Sequence, residues 1–345
     1  MHNIDEMPAR LAAFLAAEEP GWRDIEVTAY EVMTGGYSRL LAKAHVRHAA
    51  GERVFVLRGD PPADRSLIHT DRLTEWEVLS AVASHGVRVS QPRYFDPSGE
   101  RLGTKALVIE FCEATSLLAY LAAHGTDEHA AAVAPLAEAA AAFHRIPLEQ
   151  LPACLARPAS WDAYLDHRID EWRRSAHAHV ESQPILRFIA AWLQAHRPPA
   201  VPLSLIHGDF QSANLMRDPD GGIVILDWEL AQIGDPREDL GYFKAVAQIA
   251  GPDLTDIDAD GFCRHYRELM GFTEDQLNPA VLAYFLVLGV VGTVRQLLEG
   301  AAAYARGDNK LLASVFNLSS VQFGNSIWLP TTRALDAAFA TMREA

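Results

Sequence analysis

Apolar positions along this chain follow two rhythms, and the change between them comes near residue 113. Before it, short β-branched and aromatic runs dominate. Residues 25–33 alternate loosely, 40–46 and 54–58 follow, and 93–95 and 106–111 complete five strand-like segments. Runs of this kind bounded by turn residues read as strands. Between the third and fourth, residues 70–84 place Leu73, Trp76, Leu79 and Val82 three apart, the spacing of an amphipathic helix. After residue 113 the pattern is mostly helical, including an alanine-rich stretch at 130–142 of high helix propensity. Its main interruption is 206–230, where loop and strand features intrude. The most apolar stretch, 279–294, is shorter than the about 20 residues a membrane span needs, and Arg295 follows at once. It reads as a buried core helix. The expected fold is α+β in two lobes. Residues 1–112 form a five-stranded antiparallel sheet with one helix, and residues 113–345 form a larger helical lobe.

Composition narrows the possibilities. Apolar residues make up 49% of the 345, enough for a sizeable core and too many for global disorder. Cys112, Cys154 and Cys263 are scattered and have no CxxC spacing, which fits a reduced, cytoplasmic protein without disulfides or a zinc site. The first residues carry Asp5, Glu6, Glu18 and Glu19 and lack the pattern of a signal peptide. The formal net charge of −15 speaks against nucleic acid and against an anionic membrane surface as partners. It is compatible with a cationic small molecule. His177 and His179 lie two apart on a helical stretch and share no face, so they are expected at the surface rather than on a metal. Trp161, Trp172 and Trp192 fall in helical patterns and are expected in the core or a cleft wall.

The chemistry concentrates in one block. His207-Gly208-Asp209-Phe210-Gln211-Ser212-Ala213-Asn214 is followed by a Gly221-Gly222 turn, a buried strand at 223–226, Asp227, and then Gly234-Asp235-Pro236-Arg237-Glu238-Asp239-Leu240. Taken singly, an Asp before a turn is a turn former and an Asn is often a cap. Together and in this order they match what phosphoryl transfer requires. One carboxylate must sit beside the acceptor hydroxyl, and a second carboxylate and an amide oxygen must hold magnesium against the phosphates. In the protein-kinase catalytic loop the base Asp and the metal-binding Asn are five positions apart, as Asp209 and Asn214 are here.

With these motifs the chain resembles the aminoglycoside phosphotransferase and choline kinase superfamily, which has a protein-kinase-like fold. The resemblance implies that Asp209 is the catalytic base and that Asn214 and Asp227 are Mg²⁺ ligands. It implies that Asp239 caps a helix and holds the catalytic loop through backbone amides, and that His207 anchors that loop. ATP or GTP is the implied co-substrate, and the implied acceptor is a small-molecule hydroxyl. Residues 205–243, with Asp227-Trp228-Glu229 and Trp192-Leu193, are most similar to the kinase-like domain fused to acyl-CoA dehydrogenase in some animal proteins, and to its stand-alone bacterial relatives. That likeness implies a hydroxyacyl-CoA acceptor. An aminoglycoside or macrolide kinase is the alternative. A catalytically silent nucleotide-binding pseudokinase is the alternative of another class, and the presence of Asp209, Asn214 and Asp227 speaks against it.

The first lobe carries matching features. Gly35-Gly36-Tyr37-Ser38 lies between two strand-like runs, where free N–H groups can cradle phosphates, though a plain hairpin turn reads the same way. Kinases need a cation on the next strand, paired with a helix Glu. The run Val54-Phe55-Val56-Leu57-Arg58 ends in Arg rather than Lys, and Arg58 can grip phosphate bidentately. Glu75 and Glu77 are both candidates for its partner, and alignment on the family's E-Y-R-V-L pattern favours Glu75. The run ending in Glu110, Phe111 and Cys112 resembles the hinge whose backbone N–H and C=O groups, at Glu110 and Cys112, read the purine edge.

Overall fold

A computed structural model describes residues 6–33, 40–60, 71–178, 185–248, 251–257 and 259–290, with the single positions Val294, Leu298, Thr332 and Asp336. The chain divides into two compact units, Met1–Glu113 and Ala114–Ala345.

The first unit runs α1 (Met7–Glu18), β1 (Glu26–Val32), β2 (Leu40–His48), β3 (Gly51–Gly59), α2 (Arg72–Ser84), β4 (Pro92–Asp96) and β5 (Ala106–Glu110). The strands form one antiparallel sheet in the order β1-β2-β3-β5-β4. Side chains alternate between its faces with a period of two. Phe55, Leu57, Ala44, Val46, Ala106 and Val108 point to one face and pack with Met7, Leu11, Phe14 and Leu15 of α1. Arg58 therefore points to the opposite face, together with Leu107, its partner in register. The expectation of a single helix here is corrected by α1. Its buried positions 7, 11, 14 and 15 carry a helical spacing.

The second unit begins with β6 (Thr115–Ser116), α3 (Leu117–Ala123), α4 (Thr126–His144), α5 (Trp161–Ala178), α6 (Ile185–Ala195) and β7 (Ser204–Ile206). It continues with β8 (Leu215–Arg217), β9 (Ile223–Ile225), β10 (Gln232–Gly234), α7 (Arg237–Ala247), α8 (Leu254–Ile257), α9 (Ala259–Met270) and α10 (Pro279–Gly289). Among the described residues no helix is long and apolar enough to cross a membrane. A helix apolar all round must be buried on every side, and α10 is: Tyr284, Phe285, Val287 and Leu288 are fully enclosed, in one core with Trp172 and Trp192. Trp161 is partly buried against that core, and His177 is exposed while His179 lies outside the described residues. Packed on α10 is α7, closely enough that a Cβ at Gly241 would lie 2.2 Å from the carbonyl carbon of Phe285.

Candidate active site

Two short antiparallel pairings position the motif block. Strand β7 pairs with β10, bringing Ile206 opposite Gln232, and His207, Gly208 and Asp209 leave the end of β7. The N–H groups of His207 and Gly208 donate to the two carboxylate oxygens of Asp239 in the first turn of α7, at 2.7 and 2.9 Å. This is the clamp the resemblance implied. Asp239 is itself held by His144 Nε2 at 3.0 Å, and Tyr266 Oη lies 2.6 Å from His144 Nδ1. The partners assign the tautomer: Nε2–H donates to Asp239 and Nδ1 accepts from the phenol. His207 is spent in the same manner. Its Nδ1 accepts from the Asp209 N–H at 3.2 Å, and Nε2–H donates to the Leu226 carbonyl at 2.8 Å. With both ring nitrogens on backbone, it anchors the loop. Gly208 has φ 81°, and a Cβ there would sit 2.4 Å from the Leu230 carbonyl oxygen, so no other residue fits.

The hairpin of β8 and β9 sets Leu215 opposite Ile225. One step further, the Leu226 N–H donates to the Asn214 carbonyl at 2.9 Å. Asn214 and Asp227 therefore emerge at the same end of the hairpin. Asn214 Nδ2 donates to the Asp209 carbonyl at 3.0 Å and to its Oδ2 at 2.7 Å. Both bonds use the amide nitrogen, so the amide oxygen is turned away from Asp209. Gln211 Nε2 donates to the other carboxylate oxygen at 2.7 Å. Asp209 is half-buried. Burial is the main influence raising its pKa, and the nearby Asp227 carboxylate adds to it, while His207, Asn214 and Tyr242 pull the other way. Two carboxylates close enough to repel, beside an outward amide oxygen, make a hard oxygen donor set of the kind Mg²⁺ takes. Among the described residues no group of three or more His, Cys, Asp or Glu could hold a metal alone. An ion held by Asn214 and Asp227 would complete its shell with phosphate oxygens and water, which is the usual habit of Mg²⁺.

In the first unit, Arg58 Nη2 lies 3.0 Å from Glu75 Oε1, both side chains being buried. Glu75 is thus the partner, and Glu77 is not in that pair. Arg72, one turn earlier on α2, holds the other Glu75 oxygen and also meets Asp60 at 3.1 Å. Arg72 was not foreseen; its signal is an i,i+3 pairing with Glu75. Gly35, Gly36, Tyr37 and Ser38 lie outside the described residues. The Glu110 N–H donates to Gln91 and the Phe111 N–H to Val54, at 2.9 and 3.0 Å. The Glu110 side chain pairs with Arg93 at 2.6 Å, on the sheet face of Phe55, opposite Arg58. The hinge expectation therefore narrows to the Glu110 carbonyl and the Cys112 backbone.

A buried charge network fixes the start of α7. Asp235 accepts from the N–H, Nε and Nη2 of Arg237 and from Trp161 Nε1 at 2.6 Å, while Arg237 Nη1 reaches the Gln276 carbonyl at 2.6 Å. Glu238 takes Arg168 and the Tyr164 phenol. Acidic groups at a helix N-terminus also suit its dipole. His144, Arg168, Tyr242 and Tyr266 all escaped the sequence reading.

Comparison with known proteins agrees with this geometry. The family model described as "Phosphotransferase enzyme family" matches residues 29–273. Acyl-CoA dehydrogenase family member 11 of Rattus norvegicus is 29% identical over 204 residues, covering 56% of this chain and 25% of that protein. The Gallus gallus protein of the same name is 30% identical over 200 residues, with the same coverage. The chain thus spans about a quarter of the length of these relatives. Among solved structures, a protein of Ralstonia eutropha described as an aminoglycoside phosphotransferase superposes with a TM-score of 0.72 at 18% identity, over 94% of this chain and 98% of its own. An aminoglycoside phosphotransferase in ternary complex with ADP and hygromycin B gives 0.60 at 16% identity, over 91% and 97%. The kinase-like α+β fold is thereby shared, and the match over residues 29–273 places this chain in the phosphotransferase enzyme family.

Proposed function

We propose that the chain transfers the γ-phosphate of ATP or GTP to a hydroxyl of a small molecule, with Asp209 as the base. The observation that carries this is the Asp209 carboxylate: half-buried, oriented by Asn214 and Gln211, and electrostatically coupled to Asp227. Asn214 and Asp227 would hold Mg²⁺, which when bound neutralises charge on the phosphates. Asp209 accepts the hydrogen bond of the acceptor O–H, aims its oxygen at the phosphorus and takes the proton late, as a loose transition state allows. Arg58, held by Glu75, would grip the α- and β-phosphates. Solved structures of the same fold contain ADP or GDP, which supports a nucleotide co-substrate.

For the acceptor we propose a hydroxyacyl-CoA. The relatives matched in sequence are named for acyl-CoA. The second unit also has a groove of about 670 Å³ between α5 and α6, rimmed by Arg173, His177 and Arg187 over an alanine floor. A basic rim on a chain of net charge −15 suits an acceptor that carries phosphate. The overall acidity is what favours the second reading, a cationic aminoglycoside or a macrolide.

A phosphate-transfer screen of hydroxyacyl-CoAs, aminoglycosides, macrolides and simple alcohols with Mg–ATP and Mg–GTP tests both. On the acceptor it identifies, Asp209→Asn should lower kcat on the order of 10²–10⁴-fold, the usual contribution of a general base. Nucleotide affinity and Tm should hardly change. An unaltered kcat removes Asp209 from the mechanism.

A further inference from the structure

Glu75 holds Arg58, and the helix that carries Glu75 has a second tie to the same strand. Side chains alternate between the faces of a strand, so Arg58 and Asp60 leave the end of β3 on one side, about 7 Å apart. Residues three apart on a helix are neighbours at about 5–6 Å, so Arg72 and Glu75 stand one turn apart on one side of α2. The two spacings match, and two ion pairs bridge them. Arg58 Nη2 lies 3.0 Å from Glu75 Oε1, and Arg72 Nε lies 3.1 Å from Asp60 Oδ1. Arg72 also pairs with the other oxygen of Glu75, which joins the bridges into one alternating row of Asp60, Arg72, Glu75 and Arg58. Arg72 and Glu75 are 1% and 2% exposed, so water does little to screen them. Backbone bonds fix both elements beneath the row. The Asp71 carboxylate accepts from the N–H groups of Leu73 and Thr74 and caps α2, and the Asp60 N–H donates to the Lys105 carbonyl at 3.1 Å. The order of charges admits one register. A slip of α2 by one turn sets Arg72 against Arg58 in one direction and Glu75 against Asp60 in the other, and like charges brought together in a buried place are costly.

We propose that Asp60 and Arg72 are positioning residues for nucleotide binding, holding α2 in the one register in which Glu75 keeps Arg58 aimed at the phosphates. This rests on the reading of Arg58 as the phosphate grip. In protein kinases the corresponding strand–helix ion pair is controlled by the position of the helix. Here the second bridge keeps the first one formed, so the grip is assembled before a nucleotide arrives and binding does not have to order it.

Asp60→Asn removes the charge at the half-exposed end of the row and keeps the shape of the side chain. Calorimetric titration should show the Kd of Mg–ADP rising on the order of tenfold, the ordinary worth of a contact to a charged group. The Kd of adenosine, which carries no phosphate, should stay as in the wild type. Asp60→Glu restores the carboxylate and should restore the affinity for Mg–ADP. A merely structural Asp60 would lower Tm without separating ADP from adenosine. A purely electrostatic one would act with the opposite sign, since losing a negative charge near the phosphates tightens ADP. Unchanged or tighter binding of Mg–ADP in Asp60→Asn therefore overturns the proposal. The second readout needs no nucleotide. The Arg58 Nε–H resonance, assigned by its loss in Arg58→Met, should move in Asp60→Asn, and an unmoved resonance also overturns the proposal. If Arg58→Met binds Mg–ADP as the wild type does, or the wild type does not bind it, the reading of Arg58 fails on its own, and the resonance still decides whether Asp60 and Arg72 set the position of Arg58.

Discussion

Asp227 occupies the left-handed region, with φ 67° and ψ 64°. For a residue with a Cβ this costs about 1–2 kcal/mol, and strain of that kind persists where the surroundings enforce it. Here Trp228 enforces it, buried between Phe143 and His207 with ring centroids at 5.1 and 4.8 Å. The Asp227 carboxylate is near enough to Asp209 to help raise its pKa. Replacing Asp227 therefore separates function from stability. Asp227→Ala and Asp227→Gly should both fold and both lose Mg²⁺-dependent turnover. The glycine variant should be the more stable by about 1 kcal/mol in urea unfolding, because it alone adopts this φ without strain. Equal stabilities would show that the bend is not strained, and retained turnover in either variant would remove Asp227 from the metal site. Asp209, Asn214 and Asp227 were legible because one loop and one hairpin, adjacent in sequence, bring them together. His144 and Tyr266 were not, since His144 reaches Asp239 from 95 residues away and Tyr266 reaches His144 from 122. No local pattern encodes such a contact.

Among the elements, α7 does the most with the least length. Its first turn holds Asp239 and the network of Asp235, Arg237 and Glu238, its second presents Tyr242, and its back lies on α10. Gly241 permits that approach. A methyl group there would meet the Phe285 carbonyl carbon at 2.2 Å and the Leu286 nitrogen at 2.5 Å, backbone atoms that cannot swing aside. Gly241→Ala should cost about 3 kcal/mol, the upper part of the ordinary range for overpacking. It should lower kcat as well, since α7 would shift with the loop it clamps. Gly21→Ala, with nothing within 4 Å of the added methyl, is the control and should be near neutral. Thermal unfolding of the two variants checks this, and equal Tm values would mean that the helices part without penalty. The strands of the first unit and α2 were legible from period and composition, with ends shifted by no more than three residues. Strands β7, β8, β9 and β10 have three residues each. β9 was legible as the buried apolar run at 223–226 after the Gly221-Gly222 turn, while β7, β8 and β10 are too short for alternation to show.

At the scale of the whole molecule, the fold class was legible in the change of rhythm near residue 113, while the acceptor was not, because net charge averages over surfaces that do different things. The same scale governs alkaline stability. Burial raises the pKa of Tyr30 to about 12, and it raises Tyr94, Tyr164, Tyr266 and Tyr284 as well. In the unfolded chain these phenols ionise near the ordinary value of about 10. A pKa higher in the folded state means that the native protein holds the proton more tightly. The stability these phenols contribute is therefore complete below pH 10 and is lost as pH rises from about 10 toward 12. Two of them sit where function would feel it: Tyr266 supports His144 behind Asp239, and Tyr164 holds Glu238 at the start of α7. The urea midpoint should be flat between pH 8 and 9.5 and should fall steeply by pH 11. Tyr30 separates phenol ionisation from the general loss of lysine charge in the same range. Its hydroxyl is buried with no hydrogen-bond partner among the described residues, so Tyr30→Phe gives up nothing there at pH 8. At pH 11 the variant has no phenol to ionise at this position and should resist urea better than the wild type. A gap between the two proteins that widens from pH 8 to pH 11 confirms the buried phenol as a source of the alkaline limb, and a constant gap assigns that limb to other groups.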